Sequence, residues 1–170
     1  MIIGIGGVSR SGKTTLANQL SGKLKGKAIK ILHQDDFALK SNLPMIRNHP
    51  DWEIPSSIDW PSWKSEINRI RSQVDILILE GIFAFYDQSM NDTMSHRFFV
   101  SITKEIFYKR KRNDLRWGRE PDWFIDHIWA SFVKYGQVGQ CIDPYILLNG
   151  EKPFNIELIL QTMHSLNQGF

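Results

Sequence analysis

Short apolar runs alternate along the chain with longer segments in which apolar residues recur every three or four positions. Apolar runs of four to eight residues are typical of buried strands, and their alternation with helices is typical of a parallel sheet with crossover helices. The pattern predicts an α/β fold of three layers, with strands at residues 2–6, 28–33, 75–80, 97–102 and 144–148. Helices are predicted at residues 13–24, 59–73, 104–117, 121–138 and 155–167, with polar caps at 57–59 and Asn155.

Two stretches interrupt this alternation. Residues 39–57 contain three prolines and keep no sustained period, so they predict a long irregular excursion after the second strand. Excursions of this length in compact domains are usually functional. Residues 118–122 interrupt the basic helical segment and are expected to form the tip of a mobile lid. We therefore expect a single domain over residues 1–170, with an excursion at about 38–58 and a lid at about 110–125.

Composition limits the classes of protein that the chain can represent. With 170 residues and 42% apolar content, one self-sufficient core is expected, and the single cysteine, Cys141, excludes an internal disulfide and is expected to be a packed, unreactive thiol. The net charge of +3 is modest, so a small polyanionic ligand is favoured over nucleic acid. We find neither a signal peptide nor an apolar run of ~20 residues, and we expect a cytoplasmic monomer or homodimer with no membrane partner.

A glycine-rich loop with the Walker A pattern follows the first predicted strand directly, at residues 7–14. Gly7 and Gly12 let successive backbone N–H groups curl around phosphate oxygens, and the loop leads into a helix N-terminus, where anions are favoured. Lys13 can then reach the β and γ phosphates, and the Thr14 hydroxyl can ligate Mg²⁺. The motif predicts a P-loop NTPase fold that binds a nucleoside triphosphate.

Basic residues concentrate on the predicted helix at 104–117 and in the loop after it. A solvated helix face explains any one of them. Together they fit a small helical lid that closes over the triphosphate and brings arginines to the transferring phosphoryl group. The ATP contacts expected from loop and lid are Gly7, Ser9, Arg10, Ser11, Gly12, Lys13, Thr14, Thr15, Arg110 and Arg116.

Three carboxylates follow predicted strands, at the edge of the sheet where ligands bind in this fold class. Asp35 and Asp36 come after the second strand, and Glu80 closes the third. Phosphoryl transfer needs a metal ion and a carboxylate that orients or deprotonates the attacking hydroxyl. Glu80 suits the metal and Asp35 or Asp36 suits the base, although a pair of this kind also occurs as a helix cap or turn.

Several segments together resemble the nicotinamide riboside kinases, within the uridine-kinase-like group of P-loop nucleoside kinases. The P-loop segment is shared by many NTPases, whereas the Gln-Asp-Asp-Phe and His-Ile-Trp segments are more specific. The resemblance covers almost the whole chain. The segments that carry it are residues 3–16, 34–37, 78–81, 109–112, 126–129 and 134–135.

The resemblance implies transfer of the ATP γ-phosphoryl group to the 5′-hydroxyl of a ribonucleoside, above all of nicotinamide riboside to nicotinamide mononucleotide in NAD salvage. It implies Asp35 as the general base and Thr14 with Glu80 at Mg²⁺. It also implies that Glu53, which follows Trp52, binds the ribose hydroxyls with Arg112 as a second contact. The implied catalytic residues are Asp35, Lys13 and Arg112, and the implied substrate contacts are Asp35, Asp36, Trp52, Glu53, Arg112 and Trp117.

The chain departs from the family pattern in its acceptor region. Glu53 stands where the family has Asp, and Trp52 and Trp117 stand where it has Tyr. A pyridinium cation between two indole faces gains stacking and cation–π attraction, so the tryptophans are compatible with nicotinamide riboside. Both tryptophans also fit an ordinary partly buried role.

Three other functions stay open at this point. A uridine or cytidine kinase shares the residues on the phosphate side and differs in the base pocket. A nucleotide-dependent switch ATPase would have no small-molecule acceptor, which leaves Asp35 and the excursion unexplained. A nucleic-acid-binding module would use the basic helix and would bind in a strongly salt-dependent manner.

Overall fold

The structure, a computed structural model, describes residues 1–116, 118–138 and 145–167. Its main sheet has five parallel strands and confirms the predicted α/β architecture. The strand order is β2-β5-β1-β6-β7, so β1 lies at the centre. In chain order the strands are β1 (Ile2–Gly6), β2 (Ile29–His33), β3 (Met45–Ile46), β4 (His49–Pro50), β5 (Ile76–Glu80), β6 (His96–Ser101) and β7 (Ile146–Asn149), of which β3 and β4 form a separate hairpin.

The predicted helices are present in the predicted order, with shorter bounds at several C-terminal ends, and a short helix at Gln88–Asn91 was not predicted. Short 3₁₀ turns at Gln34–Phe37 and Pro55–Ser57 lie at the two ends of the irregular excursion. A π-helical turn, Phe132–Gly136, continues one of the helices. The helices are α1 (Lys13–Lys23), α2 (Trp60–Ile70), α3 (Gln88–Asn91), α4 (Lys104–Arg112), α5 (Asp122–Ser131) and α6 (Ile156–Asn167).

The prediction of a helix over residues 104–117 was wrong at its end, because α4 ends at Arg112. The carboxylate of Asp114 accepts hydrogen bonds from the backbone N–H and the guanidinium of Arg116. Local side-chain bonds of this kind compete with the helical backbone pattern. The predicted caps are confirmed, since Asp59 caps α2 and the Asn155 side chain accepts from the backbone N–H of Leu158 at the start of α6.

The core lies on both faces of the sheet and gives the three layers. Ile3 and Ile5 of β1 are fully buried and pack with residues of α1 and α6 on one face. Ile2 faces the other way and packs with residues of α2, α4 and α5. Such alternation on a central strand buries both faces, which is typical of parallel sheets.

The sheet topology places the candidate site. β1 pairs with β5 on one side and with β6 on the other, so the segments that follow β1, β2 and β5 emerge at the same edge. These segments carry the glycine-rich loop, Asp35 and Asp36, and the residues after Glu80. In an open parallel sheet, ligands bind at this edge of the sheet. Within the described ranges, no helix is both long and apolar enough to cross a membrane.

Candidate functional site

The glycine-rich loop is shaped by its contacts with neighbouring backbone. Gly7 has φ +141°, and a Cβ there would lie 2.3 Å from the carbonyl oxygen of Val100 on β6. Gly12, with φ +110°, precedes the first residue of α1. Both conformations favour glycine, and they leave the backbone N–H groups of the loop around the N-terminus of the helix. The loop is therefore an anion-binding element built into the sheet edge.

Two side chains of the loop lie buried in it. The Lys13 side chain turns back over the loop, and its Nζ donates to the carbonyl oxygen of Val8 at 3.0 Å. Ser11 is fully buried, and its Oγ makes no hydrogen bond within the part of the chain that the structure describes. A buried ammonium whose partner is a neutral carbonyl keeps donors for a stronger partner such as a phosphate oxygen.

Glu80 joins the loop to β2. Its Oε1 accepts from the Thr14 hydroxyl at 3.0 Å and lies 2.6 Å from His33 Nδ1. Glu80 is buried at the end of β5, so the protein surrounds a carboxylate that ends an apolar strand. A hydroxyl beside a carboxylate is an oxygen donor set that suits Mg²⁺, which commonly binds one or two side chains together with phosphates and water. No group of three His, Cys, Asp or Glu side chains able to hold a metal occurs among the described residues.

Gln34 connects the end of β2 to the end of β5. Its Oε1 accepts from the backbone N–H of Phe83 at 2.9 Å. A Cβ at Gly81 would lie 2.4 Å from the same oxygen, so glycine is needed there for Gln34 to pack. The side chains of Asp35 and Asp36 follow in the 3₁₀ turn and are exposed. The turn thus presents two carboxylates to solvent at the sheet edge.

The excursion is attached to α5 by a partly buried pair. Asp51 is buried, and its Oδ1 lies 2.9 Å from His127 Nε2. The same Oδ1 accepts from the backbone N–H of Glu53 at 3.0 Å. Asp51 therefore fixes the backbone at Glu53, and sequence reasoning missed it. The signal that could have found it is the position of Asp51 in a segment that already contained a candidate ribose ligand.

Carboxylates from three parts of the chain raise the pKa of Glu53. Burial raises the pKa of Glu53 to about 7, opposed by Lys111 and reinforced by the negative charges of Asp35, Glu120 and Asp51. Charges that shift a pKa in this way lie close together. Glu53 and Asp35, which the sequence pointed to separately, thus belong to one electronegative region. A half-buried carboxylate with a raised pKa and like charges acting on it is a common feature of functional sites.

Aromatic rings border this region. His49 lies 4.3 Å from the ring of Phe124 on α5, measured between centroids, and its edge faces Trp52 at 6.0 Å. Trp52 is 43% exposed, so a large apolar surface stays open to a ligand. The guanidinium of Arg47 stands 5.0 Å from the centroid of Trp123. Trp117, the second predicted base contact, lies outside the described residues, as does Cys141.

A buried aspartate joins the glycine-rich loop to the segment after α4. Asp114 binds Arg116 through both carboxylate oxygens, at 2.8 and 2.7 Å, and lies 3.7 Å from the Arg10 side chain. The hydrogen bonds from Arg116 hold the pKa of Asp114 at about 2. The same contact raises the pKa of Arg116, which Asp35 and Glu120 raise further. Arg116 is therefore linked to the glycine-rich loop through Asp114, which also pairs with Arg10.

The other lid residues point in different directions. Arg110 donates to the carbonyl oxygens of Arg10, at 3.0 Å, and Gly150, at 2.9 Å, so it braces the glycine-rich loop against the end of β7. Arg112 is exposed and pairs with Asp122 at 3.1 Å, and within the described residues it makes no hydrogen bond or ion pair with Glu53. Its predicted contact with ribose stays a prediction.

The chain is similar in sequence to known nucleoside kinases. No protein-family model matches it. A uridine kinase of Deinococcus deserti is 26% identical over 161 residues, which cover 78% of this chain and 77% of that protein. Nicotinamide riboside kinase 1 of Homo sapiens is 28% identical over 188 residues, which cover 98% of this chain and 92% of that protein. The resemblance to uridine-kinase-like P-loop nucleoside kinases is confirmed. Relatives with both names match at similar identity, so the similarity supports this group without selecting one acceptor.

The fold is also found in solved structures. A sugar kinase from Janibacter sp. HTCC2649 superposes with a TM-score of 0.64 at 17% identity, covering 98% of this chain and 94% of that chain. Identity at this level informs on the fold alone. With the parallel five-stranded sheet, the similarity confirms a three-layer α/β P-loop fold.

Proposed function

We propose that the protein is an ATP-dependent kinase that phosphorylates the 5′-hydroxyl of a ribonucleoside, with nicotinamide riboside as its acceptor and nicotinamide mononucleotide as its product. The observation that carries the proposal is that the glycine-rich loop, whose Thr14 donates to Glu80, emerges at the same sheet edge as the 3₁₀ turn that carries Asp35 and Asp36. A phosphate-binding loop beside two such carboxylates suits transfer to a hydroxylated acceptor. In this proposal the protein is a cytoplasmic enzyme of NAD salvage and forms a single domain.

The donor half of the site is assigned to the glycine-rich loop. Backbone N–H groups of the loop bind phosphate oxygens, and Lys13 leaves Val8 to reach the β and γ phosphates. Thr14 and Glu80 are the residues that would hold Mg²⁺, which when bound neutralises charge on the phosphates. Arg10 and Arg116, which both pair with Asp114, are assigned to the triphosphate. Ser9, Ser11 and Thr15 complete the proposed contacts from the loop and the first turn of α1.

The acceptor half of the site is assigned to the 3₁₀ turn and the excursion. Asp35 accepts the proton of the 5′-hydroxyl as this oxygen bonds to the γ-phosphorus, and the bond to the bridging oxygen breaks to release ADP. Glu53 binds ribose hydroxyls, and Asp36 borders the same edge. Closure of the lid, residues 110–125, would exclude water, which otherwise competes as acceptor.

The charge of the acceptor region favours a cationic base. The negative charges of Asp35, Asp51 and Glu120 raise the pKa of Glu53, and the positive charge of Lys111 opposes them. Nicotinamide riboside carries a pyridinium cation, which such a region attracts, whereas uridine is neutral. The exposed face of Trp52 adds cation–π attraction for the same ligand.

The relatives named uridine kinase support a second candidate, a uridine or cytidine kinase. A panel of nucleosides, each incubated with purified protein and Mg-ATP, separates the two by ADP release. We expect turnover with nicotinamide riboside to exceed that with uridine and cytidine. Efficient phosphorylation of uridine with none of nicotinamide riboside would overturn the proposed acceptor. Slow ATP hydrolysis that no nucleoside changes would instead support a switch ATPase.

The KM for nicotinamide riboside should fall roughly tenfold between pH 6 and pH 8. The pKa of Glu53 is raised to about 7, so the carboxyl is mostly neutral at pH 6 and mostly ionised at pH 8. The ionised form attracts the cation and accepts from ribose hydroxyls. Steady-state kinetics across this range measure the effect, with the KM for ATP as internal reference. Glu53→Gln should remove the slope, and a slope that survives in this variant would assign it to another group.

Trp52→Ala should raise the KM for nicotinamide riboside about 3- to 30-fold, which corresponds to the loss of one cation–π contact. The KM for ATP should change little, because the glycine-rich loop and Trp52 belong to different halves of the site. Trp52→Tyr is the matched control, since it keeps an aromatic face and should stay close to wild type. Equal increases in both constants would show that Trp52 has a structural role.

A further inference from the structure

His33 ends β2 directly beside Glu80, the last residue of β5. The two strands pair in parallel, and His33 and Glu80 are partners in the register, so the sheet brings their side chains to the same place. His33 Nδ1 lies 2.6 Å from Glu80 Oε1. A carboxylate accepts hydrogen bonds and does not donate them, so the ring N–H of His33 is the donor. The backbone pairing of the sheet therefore fixes this contact.

Both contacts of the Glu80 side chain fall on one of its two oxygens. The Thr14 hydroxyl, in the first turn of α1, donates to Oε1 at 3.0 Å, and His33 approaches the same atom. Within the part of the chain that the structure describes, Oε2 makes no hydrogen bond. An ionised carboxylate oxygen without a donor keeps its full capacity for a hard cation such as Mg²⁺.

The two donors differ in how firmly they are held. Thr14 is exposed, and its hydroxyl oxygen is itself assigned to the metal. His33 belongs to a paired strand of the sheet, and the nitrogen that faces the site is engaged by Glu80. His33 can therefore act on a metal ion through the carboxylate. Hydrogen-bond partners of this kind orient metal-binding side chains in many metal sites.

We propose that His33 is a positioning residue for the magnesium ion of the nucleotide. It holds the Glu80 carboxylate by Oε1 and so leaves Oε2 to the ion. The inference rests on the proposed function in one respect, the assignment of Thr14 and Glu80 to Mg²⁺. His33 does not touch the reacting atoms.

The test measures the coupling between metal and nucleotide without any acceptor. Calorimetry gives the Kd for ADP once with Mg²⁺ and once with EDTA, and the ratio of the two constants reports what the metal adds to nucleotide binding. His33→Phe keeps a ring of similar size and removes the donor. It should lower this ratio about tenfold, the lower end of the usual loss for such a partner, and leave the Kd in EDTA unchanged.

Further variants separate the hydrogen bond from the ring. His33→Asn offers an amide N–H close to the position of Nδ1 and should keep the ratio near wild type, whereas His33→Ala removes the donor without adding bulk and should behave like His33→Phe. His164→Phe is the matched control, because His164 is exposed on α6. An unchanged ratio in both His33→Phe and His33→Ala overturns the proposal. Equal losses in His33→Asn and His33→Phe also overturn it, since they would assign the effect to the ring.

Initial rates at varied free Mg²⁺ then connect the contact to catalysis. The Mg²⁺ concentration that gives half-maximal rate should rise in His33→Phe, with kcat at saturating Mg²⁺ changed less. A ratio that depends on His33 in a protein that phosphorylates no nucleoside would refute the proposed function and leave this inference intact. An active nucleoside kinase whose ratio does not respond to His33 would refute the inference alone.

Discussion

Asp35→Asn is expected to lower kcat at least ~100-fold while ATP binding stays nearly unchanged. The carboxylate lies exposed in the 3₁₀ turn after β2, where it is free to meet an acceptor hydroxyl, and it contributes to the charge around Glu53. An amide keeps the size and the hydrogen-bonding geometry of the side chain but cannot take up a proton. Coupled assays of ADP release give kcat, and calorimetry gives the affinity for ATP.

Two variants serve as controls for this experiment. Asp36→Asn changes the adjacent carboxylate and should cost much less in kcat, which tests whether the first residue of the pair is the base. Asp92→Asn alters an exposed aspartate whose side chain accepts from Gln88 on the surface, and it should behave as wild type. Near-native turnover of Asp35→Asn would remove the assignment of the base.

Lys13→Met is expected to lower kcat/KM for ATP by roughly 10² to 10³, the usual loss for one preorganised donor to a transferring group. The methionine retains most of the aliphatic stem, which is buried in the glycine-rich loop, and removes the ammonium that now contacts Val8. Thermal unfolding should change little, since that contact is to a neutral carbonyl. Initial rates at varied ATP measure the loss.

Lys25→Met provides the matched control for the lysine experiment. Lys25 is exposed and lies beyond the end of α1, so the same chemical change there should leave kcat/KM for ATP at the wild-type value. A Lys13→Met protein that binds and turns over ATP normally would contradict the assignment of the donor half.

The elements of the main sheet could be predicted from sequence because each depends on a short local pattern. The apolar run at residues 2–6 and the loop after it appear in the structure with the predicted bounds for β1. Strand ends elsewhere differ slightly, since β2 and β5 begin one residue later than predicted and β6 begins and ends one residue earlier. Helix ends were harder, as α4 shows, because the side chain of Asp114 decides where the helix stops.

The partners of charged residues could not be predicted from local pattern. Successive side chains of an α-helix are rotated by about 100° around its axis, so the four basic residues at 109–112 cannot share one face. Lys111 lies four residues after the buried Phe107, which places both on the inward face. That spacing was a usable signal for a buried lysine, but the ion pair that its Nζ forms with Glu120 depends on tertiary structure.

In the acceptor region, too, the local sequence pattern could not predict which residues come together. The sequence pointed to Glu53 and Asp35 separately, on the strength of the family pattern and of a strand end. Their meeting in one electronegative region depends on the path of the excursion, which the hairpin β3–β4 and the Asp51–His127 contact set. Neither the hairpin nor the Asp51–His127 contact could be predicted from the spacing of apolar residues along the chain.

The Asp114 contact has a consequence for the thermodynamics of nucleotide binding. Arg10 and Arg116 are held by one buried carboxylate before any nucleotide arrives. Long side chains lose about 0.5 to 1.5 kcal/mol of conformational entropy each when a ligand immobilises them, and arginines that are already ordered lose less. For a triphosphate that meets these two arginines, association should therefore have a smaller entropic penalty. An internal anion would thus act as a template that keeps the arginines of a phosphate site in their binding geometry.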